Sequence, residues 1–500
     1  MKENKLKLRV MALLLSMVFV ACNKNSDPSP TSSNDADTVS AEAHEADSDY
    51  VWASTDVVPI TLNGTSITVS GAGATVSGSK VSITKAGNYS ISGTLSNGQI
   101  VVDTEDKTIV RLILNGVDIA SANSSPIYIK NAEKTLIVLA ENTQNKLTDG
   151  KTYVYDDVAE EEPNATVFSK DDLSFFGTGS LTVNANFADG IVSKDGLVIK
   201  SGNFIVNSAD DAIRGKDYLI IRDGSFTINS KADGLKSSND SDAALGYVII
   251  DKGTYNIAAG DDGIHAETKL IINGGDINIS QSYEGIEGAE ITINDGTIHL
   301  VSSDDGINVA SGTASQGGGF GGQNNAASNG LHLYINGGYI YVNANGDGLD
   351  SNGSITMTGG TVIVNGPSAN GNGALDYDGS FKITGGYLIA VGSSGMAQIP
   401  GTSSTQNSVL IGFTAAQNAG TLVNIQSADG KALVTFKPAK RFQSLAFSSK
   451  DLANGSYDVY IGGSSTGTEK DGIFSTGTYS GGTKNTSFTV SGVVTKVNSR

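Results

Sequence analysis

Short runs of alternating apolar and polar residues recur along most of the chain, separated by turns that contain glycine. Examples are "LVIKSG" at 197–202 and "LIIRDG" at 219–224, followed after the turn by "FIVNS" and "FTINS". Alternation with a period of two residues is typical of β-strands that bury one face. Because no long stretch with helical periodicity interrupts these runs, the chain is predicted to be all-β.

The strand runs keep a fixed phase relative to a short motif, an acidic residue followed by Gly or Ala and then by an aliphatic residue. The acidic residues of this motif are Asp189, Asp211, Asp233, Asp262, Glu284, Asp305 and Asp347. The intervals between successive Gly or Ala positions are 22, 22, 29, 22, 21 and 42 residues. Insertions at 237–243 and 311–330 account for the two long intervals. A unit of about 22 residues with three short strands predicts one coil of a parallel β-helix, and about fifteen such coils between residues 57 and 400.

The chain divides into four segments by composition. Residues 1–22 have a basic start and an apolar stretch that ends at Cys22, which resembles a lipoprotein signal with Cys22 as the lipidated residue. A plain secretory signal is the alternative. Residues 23–50 are polar and acidic and predict a disordered tether. Residues 51–400 predict the β-helix, and residues 401–500, where the period is lost, predict a small C-terminal all-β module that caps it.

Charge narrows the range of partners. The chain has a net charge of −19 and offers no basic groove, which excludes nucleic acid as a partner but suits divalent cations. The single cysteine excludes an internal disulfide. A monomer held to the membrane through Cys22 is expected.

Stacked acids predict bound calcium. Equivalent positions of successive coils lie about 4.8 Å apart, so the motif acids form one column, and a second acid lies beside three of them. Their repulsion requires compensation, and from residue 261 to 350 the only base is Lys269. Ca²⁺ binds six to eight oxygens and could bridge neighbouring coils. The predicted ligands are Asp189, Asp210, Asp211, Asp233, Asp261, Asp262, Glu284, Asp304, Asp305 and Asp347. The alternative is that Asp-Gly simply favours turns.

Two further sets of residues could carry function. Arg214, with Lys216 and Lys236 nearby, is the candidate base of a polysaccharide lyase, although acids that recur in nearly every coil favour binding over catalysis. A cluster of tyrosines in the last coils could stack on sugar rings or form a structural ladder. Its members are Tyr339, Tyr341, Tyr377 and Tyr387. His265 is predicted to be an ordinary surface residue of a strand.

The segment "GTGSLTVNANFADGIVSKDGLVIKSGNFIVNSADDAIRGKDYLIIRDGSFTINSKADGLKSS" resembles bacterial carbohydrate-binding-domain proteins built as right-handed parallel β-helices. "FSKDDL" at 168–173 and "YSGGTKNTSFTVSG" at 479–492 also resemble that family, over roughly residues 55–495. The resemblance implies a lipid-anchored protein of the outer membrane or cell surface that binds Ca²⁺ and polysaccharide, including acidic polysaccharide, without catalysis. A lyase or glycoside hydrolase on the same fold, and a structural adhesin or spacer, remain the alternatives.

Overall fold

A computed structural model describes residues 44–155, 159, 161–311 and 330–498. The predicted signal with Cys22, most of the tether and most of the 311–330 insertion lie outside the described residues. No helix in the described part of the chain has the length and apolarity needed to cross a membrane.

The described chain consists of β-strands and two short 3-10 helices, Asp47–Tyr50 and Ser54–Asp56. The strands up to residue 148 are β1 Val57–Gly64, β2 Ile67–Val69, β3 Ala74–Ser77, β4 Lys80–Ile83, β5 Gly87–Leu95, β6 Gln99–Asp103, β7 Val110–Ala120, β8 Ile127–Asn131, β9 Thr135–Leu139 and β10 Gln144–Thr148. The strands that follow, up to residue 258, are β11 Ala165–Ser169, β12 Leu173–Gly177, β13 Ser180–Ala185, β14 Asp189–Ser193, β15 Gly196–Ile199, β16 Asn203–Ser208, β17 Ile213–Gly215, β18 Tyr218–Ile221, β19 Ser225–Asn229, β20 Leu235–Ser237, β21 Tyr247–Ile250 and β22 Thr254–Ala258. The next strands, up to residue 392, are β23 Ile264–Ile272, β24 Asp276–Gln281, β25 Ile286–Ile293, β26 Thr297–Ser302, β27 Ile307–Val309, β28 His332–Ile335, β29 Tyr339–Ala344, β30 Leu349–Ser351, β31 Ser354–Met357, β32 Thr361–Asn365, β33 Leu375–Tyr377, β34 Phe381–Ile383 and β35 Tyr387–Gly392. The C-terminal strands are β36 Ser408–Gln417, β37 Val423–Ser427, β38 Ala432–Phe436, β39 Phe442–Ser448, β40 Gly455–Ile461, β41 Ser464–Ser465, β42 Thr468–Lys470, β43 Ile473–Ser475, β44 Tyr479–Ser480, β45 Thr483–Val490 and β46 Val494–Asn498.

Parallel pairing between equivalent strands builds a solenoid with three sheets. The first sheet runs from β1 through β13, β16 and β19 to β35. The second sheet runs from β4 through β11, β14 and β17 to β33. The third sheet contains β9, β12, β15, β18 and β21 and ends at β34. The predicted all-β parallel β-helix is therefore confirmed.

The solenoid has about 11 turns, fewer than the fifteen that a constant period predicts. The period of 22 residues holds in the middle of the chain, where Ile191 pairs with Ile213. Early coils are longer, because Val57 pairs with Asn88 and Gln144 pairs with Ser180. Their additional residues lie in turns and in the antiparallel pairs β1–β2 and β3–β4, which no repeated motif marks in the sequence.

The aliphatic residue of each motif faces the core. Ile191, Ile213 and Leu235 lie in register on adjacent coils and are fully buried. Burying one such side chain contributes about 1.5–3 kcal/mol. Aromatic side chains stack in the same core; Phe226 and Tyr255 are parallel at a centroid distance of 4.8 Å. One hydrophobic core therefore continues along the solenoid.

The glycine of the motif allows successive coils to approach each other. A Cβ added at Gly263 would lie 2.6 Å from the carbonyl oxygen of Gly285, and one at Gly306 would lie 2.4 Å from that of Gly348. Contacts this short are excluded, so a larger residue would force the coils apart. Steric space therefore explains glycine at these two positions, although Ala212 fits at the equivalent position of an earlier coil.

After β35 most strand pairs are antiparallel, although β36 pairs with β46 in parallel. β39 pairs with β35, with Leu388 opposite Ser448, and so covers the edge of the last parallel strand. A separate six-stranded sheet contains β37, β38, β40, β42, β43 and β45. Phe436, Phe447 and neighbouring aliphatic side chains fill the core beneath it.

Residues 44–56 lie along the side of the solenoid, although the sequence predicted a tether as far as residue 50. Glu45 accepts a hydrogen bond from Arg222 at 2.6 Å, and Asp49 pairs with Lys134 at 2.8 Å. His44 stacks on Tyr218 with ring centroids 3.9 Å apart. These partners are 85 to 177 residues away in the sequence, so local composition could not reveal them.

Candidate metal centre

The motif acids lie at the turn between the first and second sheets, and we call them the inner column. Each carboxylate in the early coils accepts the backbone N–H of the next acid in the column. The amide of Asp211 donates to Asp189 at 3.1 Å, and the amide of Asp233 donates to Asp211 at 3.1 Å. The same bond joins Asp347 to Asp305 at 2.5 Å. The bonds point these carboxylates along the solenoid axis, towards the neighbouring coil.

A second column, the partner column, lies three residues after each inner acid from Asp211 onwards, at the middle of the short second-sheet strands. Register pairing makes it continuous along the solenoid. Its members are Arg214, Lys236, His265, Glu287, Asn308 and Asp350. Two successive inner acids and the partner residue of the second one form a unit that we call a rung. The identity of the partner residue determines the charge of the rung.

The first two rungs contain a base. Arg214 bonds Asp189 and has its Nε 3.4 Å from Asp211. Lys236 lies 2.5 Å from Asp233 and 3.7 Å from Asp211. Burial alone would lower the pKa of both bases, but the flanking carboxylates outweigh burial and raise it. Both side chains are therefore cations that leave each rung with one net negative charge.

His265 provides the third base. Its Nδ1 lies 2.9 Å from Asp262 and 3.4 Å from Glu287, and its Nε2 lies 3.4 Å from Glu267. Burial lowers the pKa of His265, but the three carboxylates outweigh it and raise the pKa to about 12, so the ring is an imidazolium. The expectation of an ordinary surface residue is wrong. The sequence contained a signal for this position, because His265 follows Asp262 by three residues, as Arg214 follows Asp211.

Two later rungs consist only of carboxylates. Asp262, Glu284 and Glu287 offer oxygens that all lie within 4.8 Å of one another. We call this group the Glu287 rung. Burial raises the pKa of Glu284, and the nearby carboxylate of Glu287 adds to the effect. Three ionised carboxylates would give this rung three negative charges.

The second carboxylate group contains Asp305, Asp347 and Asp350, again with oxygens within 4.8 Å of one another, and we call it the Asp350 rung. Burial raises the pKa of Asp305 to about 7 and that of Asp350 to about 8, with a further contribution from the neighbouring aspartates. Among the described residues no base pairs with this rung. Sequence reasoning missed Glu287 and Asp350 because neither residue belongs to the repeated motif.

Asn308 lies in the partner column between these two rungs. Its Nδ2 donates to Glu284 at 2.7 Å, while its Oδ1 is buried and has no hydrogen-bond partner among the described residues. A buried oxygen without a donor is costly, and a cation would satisfy it. Beside the Asp350 rung, a Cβ at Gly346 would lie 2.3 Å from Oδ1 of both Asp304 and Asp305, so the absent side chain leaves a space that these oxygens border. The residues therefore fit a hard cation with oxygen ligands.

The residues just before the inner acids form an outer column. Asp210 and Asp261 are exposed, and Asp304 is partly exposed. Tyr283 occupies the same phase, since its amide donates to the carbonyl of Asp261 and its carbonyl accepts the amide of Asp304. With 47% of its surface exposed, Tyr283 is a large aromatic side chain in solvent between the two carboxylate rungs. Sequence reasoning missed it, although it precedes Glu284 at the position where three other coils have aspartate.

Of the candidate lyase bases, Arg214 and Lys236 lie together beside Asp211, whereas Lys216 lies apart from them and the four predicted sugar-binding tyrosines do not form one cluster. Lys216 is exposed and belongs to no rung. Tyr377 donates to the carbonyl of Ile399 from the second sheet. The other three tyrosines lie on the first sheet. Tyr387 packs edge-on against Phe447 under the C-terminal strands, Tyr339 donates to Asp471 at 2.6 Å, and Tyr341 borders an open cleft.

Comparisons with known proteins place these columns in context. The family model described as carbohydrate-binding domain-containing protein matches residues 77–330. A carbohydrate-binding domain-containing protein of Acetivibrio thermocellus is 46% identical over 129 residues, which cover 26% of this chain and 45% of that protein. The chain thus spans less than half of that relative. The solved structure of a polysaccharide lyase-like protein from C. thermocellum, a gadolinium derivative, is 35% identical with a TM-score of 0.44, covering 51% of this chain and 97% of that one.

Proposed function

Because the chain belongs to the carbohydrate-binding domain-containing protein family, we propose that it binds polysaccharide through calcium ions held at the late rungs of the solenoid. The observation that carries this proposal is the change in the partner column. Where Arg214 and Lys236 stand in the early rungs, Glu287 and Asp350 stand in the late ones. Among the described residues the Asp350 rung has no base, and His265 supplies a single positive charge to the Glu287 rung, so a bound cation would balance the charge that remains.

The proposal confines calcium to the later part of the predicted column of acids. The Glu287 rung, the Asp350 rung and the amide oxygen of Asn308 would supply carboxylate and carbonyl oxygens, which are the ligands that Ca²⁺ prefers. Bound Ca²⁺ would neutralise the rung carboxylates and accept further oxygens from a ligand. At Asp189 and Asp211, Arg214 already supplies the positive charge, so no ion is proposed there.

An acidic polysaccharide is the proposed ligand. Calcium can bridge a protein carboxylate and a sugar carboxylate, whereas a protein with a net charge of −19 alone would repel a polyuronate. Tyr283 would supply an apolar ring face for a sugar ring between the two carboxylate rungs. Lipidation at Cys22 would hold the protein at the outer membrane or cell surface, as the basic and apolar segment before Cys22 suggests.

The first test is co-sedimentation of residues 23–500 with insoluble polygalacturonate, in Ca²⁺ and in EDTA. Retention in Ca²⁺ that disappears in EDTA is the expected result. Glu287→Gln removes one carboxylate from its rung with little change in volume, and it should weaken retention. Glu133→Gln is the matched control, because Glu133 is half-exposed beside Lys107 on an early coil.

Two outcomes would contradict the proposal. Retention that is equal in Ca²⁺ and EDTA would show that polysaccharide binding does not require the metal. Absorbance from unsaturated uronate products during the incubation would instead identify a lyase. That result would make Arg214 the next residue to vary, although its ion pairs with Asp189 and Asp211 argue for a structural cation.

A further inference from the structure

A cleft of about 600 Å³ lies where the C-terminal strands meet the first sheet. Tyr341 and Asn365 of the solenoid form one side. The C-terminal strands and turns form the other with residues 419–420 and 437–439, Glu469, Asp471 and Gly472. We propose that this cleft is a second carbohydrate site, independent of calcium, that binds a neutral sugar. Small-molecule sites commonly occur at such junctions between structural units.

A hairpin places Asp471 in the cleft. Asp471 and Gly472 connect β42 and β43 with φ angles of 50° and 85°, which is the left-handed pair that a tight two-residue turn requires. Both hydrogen bonds to the Asp471 side chain end on Oδ2, from the Tyr339 hydroxyl at 2.6 Å and from His299 Nε2 at 3.0 Å. No described residue bonds Oδ1. The solenoid therefore fixes a carboxylate that keeps one oxygen available as an acceptor for a ligand hydroxyl.

The charge state of Asp471 suits that role. Burial opposes ionisation, but the hydrogen bonds from Tyr339 and His299 outweigh it and hold the pKa of Asp471 below its usual value. The carboxylate is therefore ionised at neutral pH, and a hydrogen bond from a hydroxyl to an ionised acceptor is stronger than one to a neutral acceptor.

Tyr341 supplies the aromatic surface. It follows Tyr339 by two residues on β29, so both side chains lie on the same outward side of the first sheet. Its ring lies 5.6 Å from that of His299, and no described residue bonds its hydroxyl. Sugar rings present an apolar face of C–H groups and a polar edge of hydroxyls. A fixed carboxylate beside an aromatic ring complements both features.

The rim of the cleft favours a neutral ligand over a uronate. Lys437 pairs with Glu469 at 3.0 Å and so forms a unit without net charge. Lys470 lies 3.8 Å from the centre of the Tyr339 ring, beside Asp471, and balances that carboxylate. No excess positive charge remains to attract a sugar carboxylate, which Asp471 and Glu469 would repel. The cleft therefore differs in ligand class from the calcium rungs on the second sheet.

The two sites can fail independently. The cleft proposal rests on the proposed carbohydrate-binding function but not on calcium, and the cleft lies outside residues 77–330, which the family model matches. Residues 23–500 would be titrated in EDTA by calorimetry with neutral hexasaccharides of glucose, mannose, xylose and galactose. At least one should bind. Tyr341→Ala should weaken that binding at least tenfold, whereas Tyr341→Phe, which keeps the ring, should retain it.

Asp471→Asn tests the carboxylate at nearly constant volume and should also weaken binding about tenfold. Asp458→Asn is the matched control, because Asp458 pairs with Lys484 on the far strands of the same C-terminal sheet. Thermal melts would establish that each variant is folded. Absence of binding to all four sugars in EDTA, or binding that a folded Tyr341→Ala variant retains in full, would overturn the cleft proposal. Neutral-sugar binding that requires calcium and is lost in Glu287→Gln would overturn the cleft proposal and would assign the binding to the carboxylate rungs.

Discussion

Replacing Asp350 by lysine should substitute a fixed base for a calcium ion. In the second rung Lys236 follows Asp233 by three residues and contacts both Asp233 and Asp211. Asp350 has the same relation to Asp347 and to Asp305. Asp350→Lys therefore rebuilds the early arrangement at a late position. It changes the formal charge of the fully ionised rung from three negative charges to one.

The expected magnitudes follow from that geometry. At about 4 Å each contact between unit charges is worth roughly 4 kcal/mol at an effective dielectric constant of 20, before the desolvation of the new ammonium is subtracted. We expect the metal-free variant to be about 1.5–3 kcal/mol more stable than the metal-free wild type, the range typical of hydrogen bonds to charged groups. In contrast, the wild type should gain about 2.7 kcal/mol from one ion at a free concentration of one hundred times its Kd, and the variant should lose that gain.

Calorimetric titration with Ca²⁺ and chemical unfolding in EDTA and in Ca²⁺ measure these effects. The variant should bind one ion fewer than the wild type and should unfold at a higher denaturant concentration in EDTA. Asp295→Lys is the control, since Asp295 is an exposed turn residue between the third and first sheets and makes the same change in net charge. If Asp350→Lys leaves the number of bound ions and the stabilisation by Ca²⁺ unchanged, the assignment of the rung is refuted.

Four further outcomes are expected. Tyr283→Ala should weaken polysaccharide retention about three- to tenfold at an unchanged melting temperature, since the exposed ring contributes to binding and not to the core; equal retention would exclude the ring from the site. Arg214→Gln should destabilise the protein by about 3–5 kcal/mol in chemical unfolding, because it leaves buried Asp189 without a base and Asp211 with Lys236 alone, whereas exposed Lys216→Gln should have little effect. Glu45→Gln should lower the free energy of unfolding by about 1–3 kcal/mol, because it weakens the bonds of Glu45 to basic side chains of the solenoid, whereas exposed Asp47→Asn should leave it unchanged. Equal free energies of unfolding for the two variants would show that residues 44–56 contribute no stability through Glu45. In EDTA, thermal melts should show stability falling as the pH rises from about 4 to about 8, because burial raises the pKa of the late-rung aspartates and the folded chain holds protons that the unfolded chain releases. Saturating Ca²⁺ should remove this decline in stability with pH. A stability in EDTA that does not change between about pH 4 and about pH 8 would contradict the burial of these acids.

Local periodicity was sufficient to predict the fold. The alternation in runs such as 197–202 identifies strands, and a repeat of 22 residues requires that equivalent residues stack. Once stacking is inferred, Asp189, Asp211 and Asp233 must lie in one column, because every coil repeats the same path. The sequence alone therefore determined the all-β class, the parallel solenoid, the resemblance to the carbohydrate-binding family and the existence of the inner column.

Only the tertiary structure shows which residue compensates the negative charge of each motif acid. The partner column follows the inner acids at a constant interval of three residues, but its residues differ in type and charge from coil to coil, so the repeated motif did not include Glu287 and Asp350. The strap formed by residues 44–56 and the cleft around Tyr341 join residues that are far apart in sequence. A repeat reveals the contacts that every coil makes, since each coil follows the same path. Contacts made once, between side chains brought together by the winding of the chain, leave no periodic signal and depend on the folded geometry.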